Sequence, residues 1–124
     1  MRTHERRTRR SSATSKALQF QLLSCVEDGS IDAMVVADGD GLPLASSGDT
    51  FACDEVAARM VIVGSKIQQF AGTLLGDGVQ YNVQMQKVSY EGTELLVCAI
   101  GGSEAQRARQ IARGAEGALR ILAA

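Results

Sequence analysis

Hydrophobic spacing divides the chain into segments of two periods. Leu18, Leu22 and Val26 recur every fourth residue with Phe20, Leu23 and Cys25 beside them, which predicts a first helix starting near Ser15. Gly29 sits where a left-handed cap belongs. Ile31 to Ala37 is a short apolar run ending at Asp38-Gly39-Asp40-Gly41, so a strand and a tight turn are expected there. Leu42 to Ser46 returns as a second strand. Pro43 cannot donate a ladder hydrogen bond, which puts that strand at a sheet edge or the proline at its start.

Ser47-Gly48-Asp49-Thr50 supplies turn and capping chemistry before a second apolar stripe. Val56, Met60, Val63, Ile67, Phe70 and Leu74 keep helical spacing, and they predict a long helix from about Cys53 to Leu74. Ala57, Val61, Gly64 and Gln68 form a second row beside the first. Such small residues let another helix approach closely, so the row reads either as a dimer seam or as packing under a neighbouring element. After Gly76 the period becomes two: Val79, Tyr81, Val83 and Met85 alternate with Gln80, Asn82, Gln84 and Gln86, giving a half-buried strand. The phase slips between Met85 and Val88, where a bulge or short break is expected before a turn at Glu91-Gly92. Thr93 to Ile100 is almost continuously apolar and reads as a central strand buried on both faces. Ser103 and Gln106 have capping-box spacing ahead of a last helix, with Ala108, Ile111, Ala112, Ala115, Leu119 and Leu122 as its buried face and its arginines turned away.

Composition changes this picture at one end. Residues 1–14 show no apolar periodicity, and they predict a disordered basic arm ahead of one domain at 15–124. The first ten residues hold five arginines against Glu5, a balance of +4 in a chain of net charge −1, which leaves −5 for the remainder. Arg6, Arg7, Arg9 and Arg10 are therefore candidate contacts for an anionic partner. Without interleaved aromatics they do not suggest base stacking, and nucleic acid and membrane rank low as partners. Between Lys16 and Arg59 there is no basic residue, while Glu27, Asp28, Asp32, Asp38, Asp40, Asp49, Asp54 and Glu55 fall there.

Candidate chemistry is sparse. The single histidine, His4, lies in the arm, so no Ser/His/Asp or Cys/His arrangement can form in the domain. Gly64-Ser65-Lys66 falls inside a predicted helix, whereas a phosphate loop precedes one. Asp38 and Asp40 lack the further oxygens of a calcium loop, and Cys25, Cys53 and Cys98 lack metal spacing. The reading is a non-enzyme with no catalytic residue, cofactor or metal, in the reduced setting of the cytoplasm. The three cysteines serve as small buried apolar groups.

The run from Asp32 to Gly48, with its Asp-Gly turn followed by Leu42-Pro43-Leu44-Ala45-Ser46-Ser47, resembles the first hairpin of Roadblock domains of the dynein light-chain and bacterial MglB type. The element order agrees from Ser15 to the C-terminus. The resemblance implies an α/β fold, α-β-β-α-(β)n-α, with a mainly antiparallel sheet of about five strands, the long helix on one face and the terminal helices on the other. It also implies a homodimer built on the long helix and the sheet edge beside it. Here that interface maps onto Ala57, Met60, Val61, Gly64 and Gln68, and onto Gln80, Asn82 and Gln84 of the strand from Val79 to Met85. Many relatives bind Ras-like small GTPases as regulators or scaffolds without holding nucleotide. Two alternatives stay open: a profilin-like small-ligand sensor with a pocket between sheet and terminal helix, and an arm-driven binder of an anionic partner.

Overall fold

The computed structural model describes residues 2–76 and 78–123, with side chains described from residue 13 onward. Among the described residues the order is α1 (Arg2–Gly29), β1 (Ala33–Asp38), β2 (Pro43–Ser47), α2 (Thr50–Gly64), β3 (Gln69–Gly76), β4 (Val79–Tyr90), β5 (Thr93–Ile100) and α3 (Glu104–Ala123). The strands form one antiparallel sheet ordered β2-β1-β5-β4-β3. α1 and α3 cover one face over Leu18, Leu22, Met34, Val36, Val97 and Ile111. α2 covers the other over Val35, Val56, Met60, Val83, Met85 and Cys98. Each of the buried Val, Leu, Ile and Met side chains among these contributes roughly 1.5–3 kcal/mol.

Several expectations are met by identifiable groups. β5 lies between β1 and β4 with Leu95 to Ile100 buried, as its apolar run requires. β2 is an edge strand that opens on Pro43. In the hairpin turn, Asp38 Oδ1 accepts from the amides of Asp40 at 2.9 Å and Leu42 at 3.0 Å, so this carboxylate is committed to the turn. Asp49 Oδ1 caps α2 by accepting from Phe51 N at 2.8 Å and Ala52 N at 3.3 Å. At α3, Ser103 N donates to Gln106 Oε1 at 2.7 Å and Gln106 N donates to Ser103 Oγ at 3.1 Å.

Other expectations are corrected. α2 stops at Gly64, and the segment expected to prolong it to Leu74 is the loop 65–68 and then β3. Ser65 Oγ donates to Ile62 O at 2.7 Å and Lys87 Nζ donates to Gly64 O at 2.6 Å, which satisfies the carbonyls of the last turn. β4 is continuous, with one register from Val83↔Ile100 to Tyr90↔Thr93 and no bulge near Lys87. The change of phase marks a change of buried face. Tyr81, Val83 and Met85 meet α2, whereas Val88 packs against the α1/α3 core, because beyond Gly64 there is no helix for β4 to meet on the α2 side.

The left-handed residue after α1 is Ser30 (φ 54), not Gly29. Gly29 instead admits the Gln110 side chain of α3, which any Cβ there would overlap. The buried face of α3 is rotated from the expected one: Arg107, Gln110, Ile111, Gly114, Ala115, Gly117 and Ala118 are buried, and Ala108 and Ala112 are exposed. α1 runs from Arg2, and its first turns are rich in arginine, a good helix former, with no Gly or Pro. The contacts expected of Arg6, Arg7, Arg9 and Arg10 lie outside the described side chains.

Candidate interaction surface

The residues expected to form a dimer seam are split by the fold. Ala57 and Met60 are fully buried against the sheet, and Gly64 is buried under Leu96, where a Cβ would stand 2.9 Å from Leu96 Cδ2. Val61 is half-buried against Gly41 of the hairpin. The small-residue row of α2 thus packs beneath its own sheet and hairpin, and Ala57, Met60 and Gly64 have no surface to offer another chain. Gln68 lies in the loop after α2 and is exposed. Gln80 and Asn82 are exposed and Gln84 half-buried, but their strand is not the edge. β4 lies one position in, between β3 and β5, and the outer strand is β3.

The free sheet edge expected at β4 is β3. Phe70 and Leu74 turn toward α2, and Ala71, Thr73 and Leu75 lie on the opposite face with Gln80 and Asn82, beyond the cover of α1 and α3. Leu75 is 70% exposed, and Ile62 on the outer face of α2 is also 70% exposed. Ile67 and Val79 are exposed as well, and so, away from β3, are Phe20, Leu23, Leu42 and Phe51. The strand itself carries no charged residue and no proline, although long, uncharged edge strands are normally avoided because they invite pairing with another chain. Thr73 Oγ1 and Asn82 Oδ1 lie 3.2 Å apart across β3 and β4.

One residue with a role here gave a misleading sequence signal. Arg107, expected on a solvated face, is only 8% exposed. Its Nη1 donates to Gly101 O at 3.1 Å and Gly102 O at 2.7 Å, and its Nε donates to Gln84 Oε1 at 3.1 Å. It ties the left-handed turn before α3 to β4 and fixes Gln84 on the open face. Its only sequence cue is the Gly101-Gly102 pair, whose carbonyls point away from any ladder.

Two grooves flank the sheet. One of about 410 Å³ lies between α3 and the β3–β4 pair and is lined by Gln69, Phe70, Gln84, Gln86, Ala108 and Ile111. The other, about 720 Å³, lies between α1 and β2 along Phe20, Leu23, Ser46 and Gly48. The thiols are poor nucleophiles. Burial, reinforced by Asp54 and Asp49, pushes Cys53 up to about 11, and burial also raises Cys98 and, against the opposing pull of Arg113, Cys25. No described helix is long and apolar enough to cross a membrane.

The architecture has close counterparts among solved structures. The chain superposes on an MglB described as having a tetrameric arrangement with a TM-score of 0.68 at 15% identity, covering 88% of this chain and 90% of that one. The gliding protein MglB of Thermus thermophilus gives 0.64 at 15% identity over the same shares. A Roadblock/LC7 domain from Streptomyces avermitilis gives 0.54 at 17% identity, over 85% of this chain and 94% of that domain. Neither a protein-family model nor a curated protein matches the sequence. At these identities the likeness establishes the fold.

Proposed function

We propose that this chain, which has the Roadblock fold, acts as a non-enzymatic homodimer, joined along β3 and the adjoining side of α2, that regulates or scaffolds a Ras-like small GTPase in the cytoplasm. The observation that carries the dimer is the uncharged, proline-free free edge of β3 with Ile62, Ile67, Leu75 and Val79 uncovered around it. The description of one structural counterpart as tetrameric agrees with self-association in this fold. The GTPase as third molecule rests on the Roadblock resemblance of the Asp32 to Gly48 hairpin. In this reading the interface expected from the sequence keeps Gln68, Gln80 and Asn82 as neighbours of the seam and replaces the α2 row with β3. The basic residues Arg6, Arg7, Arg9 and Arg10 are assigned to an anionic partner surface.

Sedimentation velocity from low to high micromolar concentration tests the dimer, and a species of twice the chain mass is expected. Binding of purified small GTPases from the source organism, loaded in turn with GDP and a non-hydrolysable GTP analogue, tests the partner. A difference in affinity between the two nucleotide states is expected. A chain that stays monomeric sinks the dimer, and a dimer that binds no such GTPase in either state sinks the partner.

A further inference from the structure

The backbone of β3 shows which of its groups are free. Gln68 O accepts from Lys87 N at 2.8 Å, one step beyond the Gln69↔Gln86 pair. In an antiparallel ladder such bonded pairs alternate with pairs whose N–H and C=O point away from each other. Phe70, Gly72, Leu74 and Gly76 therefore turn their backbone groups to β4, and Gln69, Ala71, Thr73 and Leu75 turn theirs to the open edge. The last outward acceptor is already taken. Arg59 Nη1 donates to Leu75 O at 2.8 Å, while Arg59 Nε is held by Glu55 Oε1 at 2.9 Å. Gly76 leaves space for this clasp: a Cβ there would stand 3.1 Å from Glu55 Oε1 and 3.2 Å from Arg59 Nη2.

We infer that the Glu55–Arg59 pair is a latch on the free edge of β3 that sets the register in which a second copy of this chain can pair with it. The inference rests on the dimer reading above. A second β3 related by a two-fold axis can bond only through the outward row. A register centred on Gly72 sets Ala71 against Thr73 and Gln69 against Leu75, and it requires Leu75 O as an acceptor. That carbonyl already holds a charge-assisted bond, so the neutral amide of a second strand must either share it with the guanidinium or displace the stronger partner. A register centred on Ala71 sets Ala71 against its own counterpart and Gln69 against Thr73, and it leaves the latch closed. Of the arrangements that spare Leu75 O, this one pairs the most of the row. The latch thus selects the Ala71-centred seam and excludes strands that need the whole edge.

Cross-linking reads the register directly, because the native cysteines are buried. Full-length Ala71→Cys and Thr73→Cys chains are oxidised separately and as a mixture, with Arg59 intact and with Arg59→Leu. With Arg59 intact, Ala71→Cys is expected to link to itself and poorly to Thr73→Cys. In Arg59→Leu the ratio of mixed to self product is expected to rise about a hundredfold, because the Gly72-centred seam needs the Leu75 carbonyl of both protomers and each hydrogen bond to a charged group is worth about tenfold. Gly76→Ala, which crowds the clasp by placing a Cβ against Glu55 and Arg59 while leaving both of those residues in place, is expected to shift the ratio in the same direction. A dimer whose cross-linking pattern is the same in all three backgrounds, or in which Ala71→Cys fails to link to itself, overturns the latch and leaves the dimer standing. A wild-type chain that sediments as a monomer overturns both.

Discussion

β2 and β3 are both edge strands, but only one of them is finished against pairing. β2 has five residues, begins with Pro43, and shares an irregular register with β1 between Val36 and Ala37. α1 packs along it through Leu18 and Leu22, and Asp38, Asp40, Asp49 and Asp54 stand on the hairpin and helix that border it. β3 has eight residues without proline or charge, pairs regularly along its whole length, and is shielded only at its end by Arg59. Natural sheets close edges with shortness, proline, irregularity, charge and cover. Shortness, proline and irregularity are at β2 itself, with acids on the elements beside it, and none of these is at β3, so the difference leaves β3 as the edge more open to pairing.

The largest effects test what closes β2. Leu22 is fully buried where α1 meets the sheet, and Leu22→Ala is expected to lower stability by about 2–5 kcal/mol in urea denaturation. Leu75→Ala, at the exposed end of β3, is expected to change it by less than about 0.5 kcal/mol in the monomer. Similar losses at both positions would mean that Leu75 is already covered in the isolated chain.

The next test acts on pairing alone. Ala71 turns its N–H outward, so Ala71→Pro removes an edge donor without touching the β3–β4 ladder. It is expected to weaken the dimer by about a hundredfold, the loss of two net hydrogen bonds, and to leave the circular dichroism spectrum unchanged. Pro43→Ala restores a donor to β2. It is expected to create no new association, because α1 and the surrounding acids still guard that edge. Higher oligomers of Pro43→Ala in sedimentation would show that the proline alone closes it.

How much of this was legible in the sequence differs between the two edges for the same physical reasons. β2 announced itself through Pro43 and the Asp-Gly turn, since both are local signals tied to backbone geometry. β3 was hidden. Its α2-facing positions are Phe70, Gly72, Leu74 and Gly76, and the two glycines erase the alternation. What remains, Phe70 and Leu74, is an i, i+4 pair, a spacing that strand and helix periods share, so the stripe reads as a continuation of α2. Gly72 is small because the Phe70 ring lies over it, where a Cβ would meet Cζ at 2.9 Å, a contact that no local pattern reveals. The same holds for the apparent slip at Lys87, whose cause is the end of a helix on the far side of the sheet. The fold class was readable because β1, β5 and the caps of α2 and α3 carry strong local signals. The sheet edge was misplaced by one strand because its identity depends on where α2 stops.

α2 bridges the two edges, and its ends give the smallest and sharpest contrast. Asp49 fixes the N-terminus on the β2 side with two amide bonds, and Asp49→Ala is expected to cost about 1 kcal/mol of stability. Lys87 fixes the C-terminus on the β3 side: its ammonium meets Gly64 O and, at 3.1 Å, a Glu94 carboxylate that is largely in solvent. Because Ser65 Oγ already serves a neighbouring carbonyl and the Glu94 contact is screened, Lys87→Met is expected to cost only about 0.5 kcal/mol. Its bond to Gln68 O comes from backbone nitrogen and survives the substitution, so the register of β3 and the dimer constant should not move. Sedimentation of Lys87→Met beside urea denaturation separates the two quantities. A dimer weakened well beyond the change in stability would place the contact at the end of α2 and its following loop, and remove it from the edge of β3.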